Sequence, residues 1–463
     1  MNRFLKMPQA SQVMRLLIAG GFLVMLAVNL PGHLSYDSVM QLLEGRTRDY
    51  VTFNPRVMSF ALGVFDSIVP GTGLFVVANS LLLFGSLYLI QNLRPTLSWA
   101  GVAVAGLLLL TPQLLIYPAI VWKDVFFASL TVSGFICLAF AARDWDQPDL
   151  RWPRLVAAVL LFAIASQARQ NALVVLLIAA VSIFLVSEGE TPRRRLGWAA
   201  LVLIVPLILG GGLTRMIELT HNVQDDAFNR GFRILQHYDL VGAAAHDPLL
   251  ILPELETRDP GISAEIHLTA VPQYSPQRVD TLNHGAIFNR LWAIDGPTMN
   301  RAWFGLMLRD PGAYLGHRLE VFYWTLFTPD LRQCLPIHVG NDGPPDKLKS
   351  LNLVPGARPG DVAISNYSTW FWISPTYSHA FNALVALAVA GLLMVRRDRV
   401  DWVMAGLMVG AVGFSASFLL ISLACDYRYL YLQDIAAFVG LIYLAIDFPI
   451  KPRRPDPTFE ARS

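Results

Sequence analysis

RLLIAGGFLVMLAVNLPGHLSYDS, residues 15–38, carries no charge between Arg15 and Asp37. Its first part, 15–31, meets the lower limit of about 17 apolar residues for a helix crossing the hydrocarbon core of a bilayer. Asn29-Leu30-Pro31-Gly32 then breaks the run without a small-x-small cleavage site, so the segment reads as an uncleaved anchor. Asp37 follows a few residues beyond, where the chain would leave the membrane.

The rest of the chain repeats this pattern of long apolar blocks. Of its 463 residues, 54% are hydrophobic and only 15% charged, against about 45–50% and about 25% in ordinary soluble proteins. Further candidate spans fall at 73–91, 97–117, 122–142, 154–170, 171–187, 197–213, 379–395, 401–423 and 433–449. The expected fold is therefore an all-α polytopic membrane protein of about ten transmembrane helices. It divides into an N-terminal membrane module (1–213), an external α-rich domain (214–378) and a C-terminal membrane module (379–463).

The net charge of +2 is less informative than its distribution. One set of loops holds Arg3, Lys6 and Arg15; Arg94; Arg143, Arg151 and Arg154; Arg193, Arg194 and Arg195; Arg396, Arg397 and Arg399; and Lys451, Arg453, Arg454 and Arg462. The short opposite loops hold only Arg46, Arg48, Arg56, Lys123, Arg169 and Arg428. The positive-inside rule then places both termini in the cytoplasm. In that threading Asp37, Lys123, Asp124, Arg169 and Arg428 all emerge on the external face. Charges beside apolar spans are costly, so a convergent set points to a site. Cys334 and Cys425 would both lie outside, where an oxidising compartment permits them to pair.

Local patterns add detail. Residues 311–328 read as a helix begun by Asp310 at the N-cap and Pro311 at N1, and ended by Pro329. The stretch 341–362, rich in Gly, Pro and Asp, reads as a mobile loop. In the first external loop, 32–72, a short helix over 38–44 would be closed by Gly45. A second helix, 56–69, would lie in the interface on a stripe of Met58, Leu62, Phe65 and Val69.

Each candidate charge has a structural alternative. Asp37 could simply cap the 38–44 helix. Lys123 could snorkel, and Asp124 could complement a helix dipole. Arg428 could pair with Asp426 or Asp124. Asp144-Trp145-Asp146 has a D-x-D form, but it falls on the cytoplasmic side between arginines, where it reads as a solvated turn. The aromatics Trp292, Trp303, Trp324, Trp370 and Trp372 read mainly as domain packing or an interfacial belt.

Four short motifs give the chain a family resemblance: Ser35-Tyr36-Asp37-Ser38, Trp122-Lys123-Asp124, Arg169-Gln170-Asn171 and Asp426-Tyr427-Arg428-Tyr429. With this topology they resemble the GT-C superfamily of polytopic glycosyltransferases. The resemblance implies a polyprenyl-phosphate-linked sugar as donor, a glycan, lipid or protein as acceptor, and an acidic residue of the first loop at the catalytic centre. That role falls on Asp37, with Asp124 as second choice. Lys123, Arg169 and Arg428 would hold the phosphate, and Tyr36, Asn171 and Tyr429 complete the substrate-binding set. The acidic pair by which some members bind a metal is absent from this loop, so no cofactor is assigned and a divalent cation is left open. The expected location is a bacterial inner membrane with an external active site; no nucleic-acid partner is implied. A surface-polysaccharide polymerase or O-antigen ligase is the nearest alternative, and a lipid-linked-sugar flippase or transporter is the alternative from a different class.

Overall fold

The computed structural model describes residues 9–52, 54–223, 227–282 and 286–447. Arg3, Lys6, Lys451, Arg453, Arg454 and Arg462, counted in the charge asymmetry, lie outside them. The fold is helical. Among the described residues, seven helices are long and apolar enough to span a membrane: Ala10–Asn29, Gly73–Leu93, Lys123–Arg143, Pro192–Thr220, His379–Arg396, Arg399–Ile421 and Tyr427–Ile446. The pair Trp99–Leu109 and Pro112–Ala119, bent by 76°, makes an eighth if it forms one broken span.

By length and composition, seven or eight helices thus meet the spanning test, fewer than the expected ten. The 97–117 run breaks at Thr111-Pro112, since proline cannot continue a helix hydrogen-bonded behind it. Most of the 154–170 run lies in Pro148–Ala168, a helix whose first turns carry Asp149, Arg151 and Arg154. The 171–187 run lies in a shorter apolar helix, Gln170–Val186.

The described chain forms two compact units. The first comprises Met1–Val223, Ile337–Ser415 and Tyr431–Ser463; the second comprises Gln224–Pro336 and Ala416–Leu430. Residues 337–378 pack with the first unit, while 416–430 join the second.

Within the first unit, Lys123–Arg143 is buried around almost its whole circumference. A helix apolar on every side has this fate, and small residues let its neighbours approach. A Cβ on Gly134 would stand 2.6 Å from the Phe162 ring of Pro148–Ala168. Ala10–Asn29 and Pro192–Thr220 expose most of their surface, as helices bordering lipid do.

The first loop is built by a close helix crossing. Tyr36–Thr47 does not stop at Gly45 but runs on to Arg48, which takes the left-handed conformation (φ 62°). Gly45 instead meets Gly63 of the Arg56–Ile68 helix, where a Cβ on Gly45 would lie 2.2 Å from the Ser59 carbonyl oxygen. The contact face of Arg56–Ile68 is Val57, Met58, Ser59, Leu62 and Asp66, leaving Val69 exposed. The expected stripe is rotated because polar groups find partners inside. Ser59 Oγ donates to Glu44 Oε2 at 2.7 Å, and Arg46 grips Asp66 through two bonds of 2.8 and 2.6 Å.

The stretch 341–362 is not a structureless loop. It contains the helix Pro345–Ser350 and the start of Pro359–Thr369, and Asn341 pairs with Gly356 through backbone bonds of 3.1 and 2.9 Å.

The second unit gathers its core around Tyr238, Leu255, Ile266, Met299 and Val321. Pro311–Phe327 begins as its sequence indicates, with Asp310 Oδ1 accepting from the Ala313 N–H at 3.0 Å. A disulfide joins Cys334 and Cys425.

Because the Gly45–Gly63 contact leaves no room for a side chain, Gly45→Val should destabilise the protein by at least the roughly 1–3 kcal/mol typical of overpacking. The check is thermal unfolding in detergent; an unchanged Tm would show that the crossing relaxes freely.

Candidate functional site

The site begins with two residues of extended chain. His33 N–H donates to Ala119 O at 3.0 Å, and His33 O accepts from Val121 N–H at 3.0 Å. On the opposite edge, Leu34 N–H donates to Gly340 O at 2.8 Å and Leu34 O accepts from Asp342 N–H at 2.8 Å. His33 and Leu34 therefore thread between residues 119–121 and 340–342, bonded on both sides. Buried backbone groups need such partners, and here no regular sheet supplies them.

The His33 side chain seals the clasp. Its Nδ1 accepts from Gly340 N–H at 3.1 Å, which leaves Nε2–H to donate to Asn29 Oδ1 at 3.0 Å. Asn29 in turn donates to Leu115 O at 2.8 Å. Burial pushes the imidazole pKa down to about 4, so at neutral pH the ring keeps the neutral form this pattern requires. Arg358 adds a bond to Leu30 O at 3.0 Å and is itself held by Asp361 at 2.8 Å.

The clasp delivers Asp37 to the start of another helix. Asp37 lies in the first turn of Tyr36–Thr47 and is not its N-cap; Ser35 takes that position without a side-chain cap bond. Ser35 Oγ instead accepts from Trp122 Nε1–H at 3.0 Å, and Ser38 Oγ donates to Val121 O at 2.5 Å. Residues on both sides of Asp37 are thus tied to those immediately before Lys123 and Asp124, which open Lys123–Arg143. Both carboxylates sit at helix N-termini, where the dipole favours negative charge. Tyr36 is 55% exposed and Asp37 half-buried.

Lys123 Nζ donates to Asn54 Oδ1 at 3.1 Å. Asp124 is 3% exposed and forms an ion pair with Arg169, which follows the last turn of Pro148–Ala168. Asn171 lies in the next short turn, Gln170–Ala172. The first unit therefore collects Tyr36, Asp37, Lys123, Asp124, Arg169 and Asn171 around adjoining helix ends.

Arg428 and Tyr429 belong to the second unit. They sit in the short turn Tyr427–Leu430. Arg428 Nη2 pairs with Asp426 at 2.9 Å, and the Tyr429 ring stacks on Phe418 with centroids 5.2 Å apart. Arg318, fully buried, donates to Ser422 O at 2.8 Å and helps fix the segment leading to this turn.

The D-x-D sequence forms a paired turn, with buried Asp144 meeting Arg143 and Arg154 and exposed Asp146 meeting Arg399. Among the described residues no group of three or more His, Cys, Asp or Glu is placed to hold a metal ion. Sequence reasoning missed His33, Asn54 and the Gly340–Asp342 segment. Only His33 left a signal, as a lone ionisable residue beside an apolar run.

No family model matches the chain, and no curated protein sequence matches it. Two solved structures align with it. One is the archaeal oligosaccharyltransferase AglB from Archaeoglobus fulgidus, in complex with an inhibitory peptide and a dolichol-phosphate, at 12% identity and a TM-score of 0.39. The alignment covers 92% of this chain and 49% of that one. The other is the arabinosyltransferase EmbB from Mycobacterium smegmatis, at 16% identity and a TM-score of 0.34, covering 91% of this chain and 42% of that one. This chain thus spans about half the length of each, and its functional reading rests on its own residues.

The His33 clasp makes stability depend on pH. An unfolded His33 gains a proton below its ordinary value of 6.5, whereas the folded one resists until about 4. Stability is full above pH 6.5 and falls as pH drops through that window, by up to about 3 kcal/mol from this group. Thermal unfolding at pH 7.5 and 4.5 should show the loss, and His33→Asn should reduce it. An equal loss in the variant would assign the effect elsewhere.

Proposed function

We propose that the protein is a membrane glycosyltransferase that moves a sugar from a polyprenyl-phosphate donor to a glycan, lipid or protein acceptor on the external face of a bacterial inner membrane. The observation that carries this reading is the tie from Ser35 and Ser38 to Trp122 and Val121, which sets Asp37 beside the helix start bearing Lys123. Asp37 takes the proton of an acceptor hydroxyl, whose oxygen attacks the anomeric carbon of the donor sugar. The bond from that carbon to the phosphate oxygen breaks, and polyprenyl phosphate leaves with the electron pair.

No acid need protonate this leaving group. The chain must instead hold the charge gathering on the phosphate, which preorganised cations do well in a site shielded from water. Lys123 and Arg169 supply them in the first unit, with Tyr36 and Asn171 contacting the substrates; the sequence motif adds Arg428 and Tyr429 to the proposed substrate-binding set. Asp124 is committed to Arg169 and acts by holding that guanidinium in place. The Cys334–Cys425 disulfide fits an oxidising compartment for the second unit.

Asp37→Asn should leave folding intact, costing at most the roughly 0.3–1 kcal/mol of a charge at a helix N-terminus. It should abolish transfer of radiolabelled sugar from a polyprenyl-phosphate donor. Wild-type turnover in that variant would remove Asp37 from the reaction. Arg428→Lys should slow transfer by an order of magnitude or more, because an ammonium cannot reproduce a two-pronged guanidinium contact. An unaltered rate would take Arg428 out of the phosphate site.

A further inference from the structure

The Pro311–Phe327 helix is built inside out. Its inward face carries His317 and Arg318, both fully buried, with Tyr314, Val321 and Thr325. Asp239, also fully buried, receives both side chains, accepting from His317 Nε2 at 3.1 Å and pairing with Arg318. The outward face carries Leu315, Leu319, Tyr323 and Phe327, each about half exposed or more. These four recur every fourth residue and so form one continuous ridge. A helix bathed in water has the reverse arrangement.

The helix has a neighbour that says what covers this ridge. It packs along Phe418–Ile421, the last turn of the apolar Arg399–Ile421 run that is long enough to span a membrane. Arg318 and Thr325 bond to Ser422 immediately after that turn, at 2.8 and 3.0 Å. Leu420, on the same turn, is also exposed. The ridge therefore lies on a helix packed against the last turn of that apolar run.

We propose that Leu315, Leu319, Tyr323 and Phe327 form a lipid-contacting surface that seats the Pro311–Phe327 helix in the bilayer interface. The buried Asp239–His317–Arg318 cluster removes charge from the helix's outward side, and the ridge presents it to acyl chains. This holds whichever reaction the chain catalyses.

The test uses the full chain in phosphatidylcholine–phosphatidylglycerol vesicles. Leu319→Cys and, separately, Tyr323→Cys are introduced with Cys137→Ser and labelled with an environment-sensitive fluorophore. Both substitutions lie on the exposed ridge, so folding should be retained. Lipids bearing a doxyl group high on the acyl chain should quench both labels, and aqueous iodide should quench them several-fold less than a label at exposed Arg301→Cys. Iodide quenching equal to that control would overturn the proposal. So would shielding from both quenchers, which would mean that a protein surface covers the ridge.

Discussion

Two residues of extended backbone, His33 and Leu34, hold the first unit's candidate site together. Their amides and carbonyls bond outward to residues 119–121 on one edge and 340–342 on the other. Remote segments of the chain meet there without a sheet to organise them. In a protein body largely shielded from water, an unmade backbone hydrogen bond costs about 1–3 kcal/mol, so the clasp is rigid for the same reason that it is necessary. A neutral imidazole completes it, accepting on one side and donating on the other. Asp37 inherits its position from this arrangement rather than from contacts of its own helix alone.

Around the clasp, small residues and paired charges set the spacing. Gly45 and Gly63 let the two helices of the first loop touch through their backbones. Arg46–Asp66 and Ser59–Glu44 then satisfy the polar groups this closeness buries. The Asp124–Arg169 pair works at another level. Burying both ions is expensive, and removing one partner of such a pair typically costs about 3–5 kcal/mol. The pair is better understood as fixing where a guanidinium points than as stabilising the fold.

Much of the architecture was legible in the sequence because membrane insertion is read from uninterrupted apolar length, and the Asp310-Pro311 helix start because capping is local. What failed was non-local. Gly45 looked like a helix stop because glycine often is one, and only the opposing Gly63 reveals it as a crossing point. The stripe of Met58, Leu62, Phe65 and Val69 looked like the packing face until Glu44 and Arg46 appeared as partners for Ser59 and Asp66. Residues 341–362 lacked periodicity because their order comes from pairing with Leu34 and from within, not from a repeating apolar face. For the site, the motifs contain Asp124 and Arg169, which pair in the fold, but the bonds from Trp122 to Ser35 and from Lys123 to Asn54 join residues far apart in sequence and show only once the fold brings them together.

The proposed function requires Asp37 and the cations Lys123 and Arg169 to face one compartment. Cysteines placed at exposed Tyr36 and exposed Gln170, flanking Asp37 and Arg169, can be probed in intact cells with a membrane-impermeant maleimide. Both should react without permeabilisation, while a cysteine at Asp146 should react only after it. Reaction of the Tyr36 and Gln170 positions from opposite sides would contradict the account.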